Sequence, residues 1–415
     1  DFTTEIKLPS FTANGTIFYW KTSNPQVITN RGFVIPPPVS SGPVVVTLTA
    51  TAINGTYITT EAFDVTVQPW GEVSVTSKVS VPFIGTSEEY VVADKTAVDL
   101  FYVDNGTVPY IDVETFINMI DGAIEAAELT YTVIDGDKLE LSYNVEFEDY
   151  DGTMVNETYT ALIDFTLNTF TVDTFDFFEN YVAATESDYG DGLNYVDADY
   201  VDSVQVTIPL GDYNFDLVIY DDNGTTVYLM PFAVTNLLFA GGVYYDAYFN
   251  GDEIYGVDTF SISGIDKEDP LWDEVRVSSL NTESMEKDMK WASYNFVALA
   301  LDYFYGLKED QGVDTYYETL SGRAQTWING TDSDLYNGLF TFAYSLDDLH
   351  TSHVFPGFYQ APSWPGLSIN DLGPRSKSFY EQGIWAMQDK LEAKYGSVDA
   401  KPDHRIIDGG KTAVI

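Results

Sequence analysis

Val44-Val-Val-Thr-Leu-Thr-Ala50 is a run of β-branched and small residues that is typical of a β-strand. Comparable runs occur at Thr16-Ile-Phe-Tyr-Trp20 and at Phe63-Asp-Val-Thr-Val67. Turn-forming sequences such as Asn54-Gly55 separate them. Short strands that alternate with turns predict a small β-sandwich over residues 1–70.

The order of motifs in this segment is also informative. Trp20-Lys-Thr-Ser-Asn-Pro25 comes before Gly32-Phe-Val34, and the strand that contains Val46 follows. This order resembles the bacterial immunoglobulin-like (Ig-like) modules of surface proteins, in which a W-x-S-S-N-P-type segment precedes a short G-x-V strand. The resemblance implies a spacer or an adhesive unit, and of these two we expect a spacer without a ligand.

Length and charge limit the classes of function. The chain has 415 residues, of which 45% are hydrophobic, and this length predicts about two to four domains. The formal net charge is −46, and no Lys or Arg occurs between Lys138 and Lys267. Such an acidic protein repels polyanions, so nucleic acid and anionic membranes are poor partners. Because the chain has no cysteine, disulfides, thiol catalysis and Cys-ligated metals are excluded.

The sequence also bears on location. It contains no signal peptide, and its longest apolar run, Phe296 to Leu301, is too short to span a membrane. Asp1 begins directly in strand-like sequence, which predicts a processed start. The absence of cysteine fits an exported bacterial protein. We therefore expect an extracellular or cell-surface location.

Residues 71–265 contain an internal repeat. Each copy is predicted to form a hairpin, a short helix and a second hairpin, and duplicated α+β units of this kind are expected to pack on each other. Each copy opens with Asn-Gly-Thr, which we interpret as a hairpin turn in preference to a glycosylation site. The first copy comprises Asn105–Ile111, Val113–Ile120 and Tyr131–Leu139, and the second comprises Asn223–Leu229, Phe232–Leu238 and Tyr245–Ile254.

An acidic loop lies within the same region. Asp188, Asp191, Asp197 and Asp199 supply oxygen ligands that could bind Ca²⁺, but the loop lacks the EF-hand spacing and its terminal Glu. A solvated loop is the favoured interpretation. We therefore predict no bound metal and no cofactor.

Residues 266–403 show helical periodicity. Asn281-Thr282 is a predicted helix cap, and further helices are predicted at about 314–327, from Thr331-Asp332 onward, and at about 377–394. These helices predict a bundle with apolar faces. The first face comprises Met289, Ala292, Phe296, Leu299 and Tyr303, and the last comprises Ile384, Met387 and Leu391.

The final segment, residues 404–415, ends with a turn and the strand-like sequence Gly-Lys-Thr-Ala-Val-Ile415. A domain seldom ends on an unpartnered strand. We therefore expect this strand to be the first of a further domain, with a partner from beyond Ile415 or from another chain. The predicted fold class is multidomain and mainly β with α+β. It comprises an Ig-like sandwich, a duplicated α+β region and a helical bundle that leads into a truncated β-domain.

Leu346-Asp-Asp-Leu-His-Thr-Ser-His353 contains two of the three histidines of the chain. It stands between the helical bundle and an aromatic loop, which is followed by a helix and the final strand. This combination resembles the N-terminal half of a C-terminal-processing (tail-specific) serine peptidase, the family that includes the tricorn protease core. In that family an L-x-D-x-H-[ST] segment closes the bundle, and Leu346, Asp348, His350 and Thr351 match it. The resemblance covers residues 270–415 well, and residues 71–265 only as an N-terminal extension.

The resemblance implies roles for these side chains. His350 is the candidate base and Asp348 its candidate orienter, as in tricorn-like members, and His353 is the competing candidate because Thr-Ser-His also resembles that pattern. A histidine can act as a base because its ordinary pKa is about 6.5. In the tail-specific branch, a Ser-Lys pair does the chemistry and the segment is architectural. A purely structural role, with Asp347 or Asp348 capping local amides, also stays open.

These observations predict the non-catalytic N-terminal portion of an extracellular or cell-surface serine peptidase, with a peptide or protein as substrate. In the family, the catalytic serine follows the strand that begins here at Thr412, so this chain alone is predicted to be inactive. An alternative is a non-catalytic surface or assembly protein that self-associates through exposed strands. A third alternative is a carbohydrate-binding or glycan-processing protein, suggested by the many Tyr and Trp residues beside carboxylates.

Overall fold

The computed structural model describes residues 5–87, 90–148, 152–179, 204–258, 270–348, 351, 369–397, 400, 405–407, 409 and 411–414. Its contacts divide the chain into two compact units. The first comprises Asp1–Leu335 with Gly357–Pro362, and the second comprises Tyr336–Pro356 with Ser363–Ile415. The predicted fold class, multidomain and β-rich with a middle α+β region and C-terminal helices, is confirmed. The domain boundary predicted near residue 265 lies outside the described residues and stays a prediction.

The N-terminal module is built on one antiparallel sheet. Its order is β1 (Ile17–Thr22), β2 (Val44–Asn54) and β3 (Tyr57–Val67). An isolated bridge between Ile28 and Val34 belongs to a second layer, which contributes to the same buried core. The core residues that the two layers share are Val27, Ile28, Val34, Val46, Leu48 and Val67. In the described residues the module therefore has one three-stranded sheet, and the segment around the Ile28–Val34 bridge packs on its buried face.

The middle region alternates strands with short helices. In chain order its strands are β4 (Val75–Gly85), β5 (Lys95–Val103), β6 (Pro109–Asp112), β7 (Thr130–Ile134), β8 (Lys138–Glu148), β9 (Met154–Asp164), β10 (Thr169–Val172), β11 (Val206–Pro209), β12 (Val218–Asp222), β13 (Thr225–Pro231), β14 (Tyr245–Phe249) and β15 (Ile254–Asp258). Its helices are α1 (Val113–Met119), α2 (Asp176–Glu179) and α3 (Phe232–Phe239). One sheet has the order β11-β10-β9-β8-β7, and the other has the order β12-β13-β6-β5-β4-β15-β14.

The two segments predicted to be copies of a repeat each contain a hairpin, a helix and a second hairpin, and the duplication itself stays a prediction. The first copy contributes β5–β6, α1 and β7–β8, and the second contributes β12–β13, α3 and β14–β15. The copies meet where β6 and β13 pair antiparallel, with Met230 opposite Ile111. Phe116 of α1 and Phe232 of α3 pack edge to face, with ring centroids 5.8 Å apart. The first hairpins of the two segments therefore share the seven-stranded sheet, and their helices share an aromatic contact. The second hairpins lie in different sheets, since β7–β8 belongs to the five-stranded sheet and β14–β15 to the seven-stranded one.

The helical part of the first unit begins with α4 (Pro270–Arg276) and α5 (Lys287–Tyr303), and continues with α6 (Tyr316–Thr319) and α7 (Ser321–Asn329). The predicted cap at Asn281-Thr282 is wrong. Ser278 and Asn281 form a capping box around a 3₁₀ turn, Ser279–Thr282, in which Asn281 Oδ1 accepts from the Ser278 backbone N–H at 2.8 Å. Helix α5 begins five residues later, at Lys287.

The buried face of α5 also differs from the predicted one. Only Leu299 belongs to both, because the large rings of Trp291 and Tyr294 take the core positions. Lys290 can be buried because its ammonium group lies 2.9 Å from Asp332 Oδ1 and donates to the carbonyl of Gly330 at 2.8 Å. The buried residues of α5 are Lys290, Trp291, Tyr294, Asn295, Ala298 and Leu299.

The C-terminal helices are α8 (Asp332–Ser345), α9 (Pro374–Ser378) and α10 (Ala386–Tyr395), and the π-helical segment Phe379–Trp385 joins α9 to α10. The predicted last apolar face is not buried, since Met387 is 60% exposed. Strand β16 (Arg405–Ile407) pairs antiparallel with β17 (Thr412–Val414). Strand β16 is therefore a partner of β17 within the chain, on one of its two edges. The expectation that β17 belongs to a further domain stays a prediction.

Asp302 on α5 joins three segments of the first unit. Its side chain is 2% exposed and lies 2.9 Å from the ammonium group of Lys308. It accepts hydrogen bonds from the hydroxyl of Tyr213 at 2.8 Å, the hydroxyl of Thr315 at 2.9 Å and the backbone N–H of Tyr316 at 2.8 Å. Burial and the carboxylate of Asp302 raise the pKa of Tyr213 above its ordinary value. Asp302 thereby orients the start of α6 against the turn at Tyr213.

We predict that Asp302→Ala lowers the free energy of unfolding by about 3 kcal/mol, because several buried donors lose their acceptor together. Equilibrium urea unfolding followed by tryptophan fluorescence measures the change. Asp310→Ala is the matched control, since Asp310 is exposed in the loop after α5. Equal unfolding midpoints for the two variants would contradict the prediction.

Candidate functional site

The candidate site begins where α8 ends. Leu346 is buried, and Asp347 then adopts a left-handed backbone conformation with φ of 57°, which Asp tolerates better than most residues. Asp348 and Thr351 are half-buried. His350 and His353 lie outside the described residues. The structure therefore positions the acidic half of the predicted site, and the roles of the histidines stay predictions.

Asp347 caps a helix from a distant part of the chain. Its carboxylate accepts from the backbone N–H groups of Arg375 at 2.7 Å and Ser376 at 2.8 Å, in the first turn of α9. The N-cap position itself is Gly373, which has no side chain to serve this purpose. A Cβ at Gly373 would lie only 2.3 Å from Cγ of Asp347, so glycine is what lets the carboxylate approach. Pro374 at the first helical position completes this helix start.

The hydrogen bonds set the ionisation of this carboxyl group. Burial raises the pKa of Asp347, but the backbone N–H groups of Ser376 and Arg375 outweigh it, so that the pKa lies below its usual value. Because the pKa of Asp347 is lower in the folded state, its charged cap makes its full contribution to stability at pH values above the ordinary Asp pKa. This contribution is lost as the pH falls through the lowered value.

Asp348 has a different partner. Its Oδ2 accepts from the hydroxyl of Thr351 at 2.5 Å, across the two residues between them. The adjacent acids are therefore not equivalent, since Asp347 caps α9 while Asp348 bonds within the L-x-D-x-H-[ST] motif. Asp348 is the acid that the sequence named as the candidate orienter of His350, and this pairing stays a prediction.

The candidate calcium ligands are not tested by the structure. Asp188, Asp191, Asp197 and Asp199 lie outside the described residues. In the part of the chain that the structure describes, no group of three or more His, Cys, Asp or Glu side chains could hold a metal ion. Within the same part, no helix is long and apolar enough to cross a membrane.

Sequence reasoning missed a cavity of about 320 Å³ beside Trp291 in the first unit. Its lining comes from residues 70–73, 103–110, 214–215 and 288–295. These segments are far apart in the chain, so no local motif marks them. The only sequence signal was general, namely the many aromatic residues beside carboxylates.

Comparison with known proteins identifies one part of the chain. Residues 1–70 match the family model described as an atrophied bacterial Ig domain. The reduced second layer of the N-terminal module agrees with that description. A bacterial Ig-like domain is compatible with a surface-associated protein. No curated protein matches the chain.

We predict that Asp347→Ala weakens the first turn of α9 by about 1 kcal/mol, the usual loss when a capping side chain is removed. Amide hydrogen exchange at Arg375 and Ser376 measures this as faster exchange. Acidification of the unaltered protein through the lowered pKa of Asp347 should produce the same local change. Asp348→Ala is the control, and equal protection of these two amides in both variants would contradict the cap.

Proposed function

We propose that the chain is the non-catalytic N-terminal portion of an extracellular or cell-surface serine peptidase of the C-terminal-processing type. The observation that supports this most is the position of the motif Leu346-x-Asp348-x-His350-Thr351 at the exit of a helix. Asp348 and Thr351 bond to each other there. The helical run that begins at Pro374 and the β-hairpin β16–β17 follow the motif, in the order that the resemblance implies.

The chemistry of peptide hydrolysis explains what this portion would contribute. The reaction needs a nucleophile, a base with a pKa near neutrality and donors for the oxyanion. His350 would supply the base, and Asp348 would hold its ring in orientation. The nucleophile would come from the domain that follows β17. The N-terminal Ig-like module would act as a spacer at the cell surface.

The test uses the full-length gene product. We predict that it reacts with a fluorophosphonate probe and cleaves an unfolded peptide, while residues 1–415 alone do neither. His350→Ala in the full-length protein should lower kcat/KM by about 10²–10⁴-fold, the usual contribution of a general base. His353→Ala is the matched control and should leave kcat/KM nearly unchanged.

Each result separates the possibilities. A full-length protein that neither reacts with the probe nor cleaves the peptide would overturn the proposed function. Labelling and turnover that survive His350→Ala would remove His350 as the base and favour a Ser-Lys pair. A larger loss in His353→Ala than in His350→Ala would transfer the role of base to His353.

A second candidate function, a surface or assembly protein, is favoured by the edge strand β3. This strand is eleven residues long, pairs only with β2 among the described strands, and is exposed along most of its length. Tyr57 and Ile58 are 83% and 67% exposed. Long exposed edges with apolar side chains can add a strand from another molecule. Self-association through β3 would then be the function of the N-terminal module.

For this candidate we predict oligomers whose fraction grows with protein concentration in multi-angle light scattering. Ile58→Lys should shift the chain to monomers, because a charge on an edge strand opposes strand addition. Lys7→Glu is a control that changes charge in the same module away from β3. A monomer at every concentration would exclude self-association as the function.

A further inference from the structure

The cavity beside Trp291 has two kinds of wall. Aromatic rings of Trp70, Tyr110, Phe215 and Trp291 line it, and the acidic residues Glu72, Asp104 and Asp288 join them. It lies where the chain leaves the Ig-like module, between β3 and β4, so we name it the junction cavity. At about 320 Å³ it has the size of a small-ligand site.

The aromatic wall is held rigidly. The ring of Trp291 stacks on Phe33 with centroids 5.9 Å apart and planes inclined by 14°. Trp70 meets Trp291 edge to face at 5.6 Å. Trp291 is only 3% exposed, so its ring cannot turn away without disrupting the core. A ligand would therefore meet a preformed aromatic wall, mainly through Trp70, which is half-buried and packs on Trp291.

Two of the carboxylates are also fixed in place. Asp288 accepts from the hydroxyl of Thr107 at 2.9 Å and from the backbone N–H of the same residue. Asp104 accepts from the backbone N–H of Ser74 at 3.1 Å. These partners are neutral donors, so they orient the carboxylates without neutralising their charge.

No cation balances these acids in the part of the chain that the structure describes. The lining contains no Lys or Arg, and Glu72, Asp104 and Asp288 form no described salt bridge. The charges of Glu72 and Asp104 also act on Asp216. Burial, followed by the charges of Glu72 and Asp104, raises the pKa of Asp216 to about 6. The junction cavity thus combines aromatic walls with three carboxylates, of which Asp288 is half-buried and Glu72 and Asp104 are exposed.

This combination selects among ligand classes. An anion would be repelled by the three carboxylates. A neutral apolar ligand would satisfy the rings but leave the charges unbalanced. An organic cation with an apolar body satisfies both, because ammonium groups are attracted to aromatic faces and to carboxylates. A saccharide would also use rings and carboxylates, but it would not neutralise their charge.

We propose that the junction cavity binds an organic ammonium cation, in which the charged head faces Glu72, Asp104 and Asp288 and the apolar body packs on Trp70 and Trp291. The cation could be the side chain of a lysine in a peptide or a free quaternary ammonium compound. This inference is independent of the proposed peptidase function, since it concerns residues outside the L-x-D-x-H-[ST] motif.

The test compares choline with its uncharged carbon isostere, 3,3-dimethylbutan-1-ol, by isothermal titration calorimetry on the 415-residue chain. We expect choline to bind at least about tenfold more tightly, because its ammonium group is attracted to the rings and carboxylates and the neutral isostere is not. Binding should quench tryptophan fluorescence and weaken with added salt. Nα-acetyl-lysine amide, whose side-chain ammonium group is free, is the parallel probe. It distinguishes a lysine side chain of a peptide from a quaternary ammonium head.

The matched variants remove charge without changing shape. The double variant Asp104→Asn and Glu72→Gln should weaken choline binding about fivefold or more and leave the isostere unaffected. Asn at 104 keeps the oxygen that Ser74 needs and tolerates the left-handed φ of 52°. Asp64→Asn, on the exposed strand β3, removes a charge outside the cavity and should have no effect.

Three outcomes would overturn the inference. The first is equal affinity for choline and the isostere, which would make the cavity merely apolar. The second is binding of glucose with neither ammonium probe bound, which would make it a saccharide site. The third is no binding of any probe at about 10 mM, where a Kd of about 1 mM would be nearly saturated.

Discussion

The packing of Trp291 is the contact on which the arrangement of the first unit depends. Its indole stacks on Phe33 of the Ig-like module and meets Trp70 where the chain leaves that module. Tyr317 adds a hydrogen bond to the carbonyl of Pro36 at 3.0 Å. Because such rings bury large apolar areas, one residue of α5 gives the module and the helices a common core. The module is therefore docked on the helices, which is more than a tethered spacer requires.

Because of this docking, one face of the module contacts the helices and its edge strand stays available to another molecule. The module contacts the helices near Phe33 and Pro36, while its edge strand β3 remains exposed for association with another molecule. The same docking brings Trp70 and Trp291 together and so forms one wall of the junction cavity. A surface protein and the N-terminal portion of a surface peptidase would both use these features. What distinguishes the two functions is whether peptide hydrolysis takes place.

The acidic pair at the end of α8 shows what local sequence can and cannot assign. Leu346, Asp348 and Thr351 match a known motif, and the motif alone named Asp348 as the acid of interest. From the sequence, either Asp347 or Asp348 could have been the residue that caps nearby backbone amides. In the structure, Asp347 caps α9 from 28 residues away, because Gly373 has no side chain and permits the close approach. A cap contributed by a distant residue has no local signature, since it depends on how two segments meet.

The sequence by itself determined several of the elements, because local periodicity and turn chemistry act over a few residues. The strands of the N-terminal module, the two copies of hairpin, helix and hairpin, and the presence of α5 and α8 all follow from such patterns. Tertiary structure alone decided which face of α5 is buried, since Lys290 is tolerated there only through Asp332 and Gly330. It also decided the partner of β17 and the convergence of four distant segments on the junction cavity. These outcomes depend on contacts between residues far apart in the chain, and a pattern within one segment does not contain them.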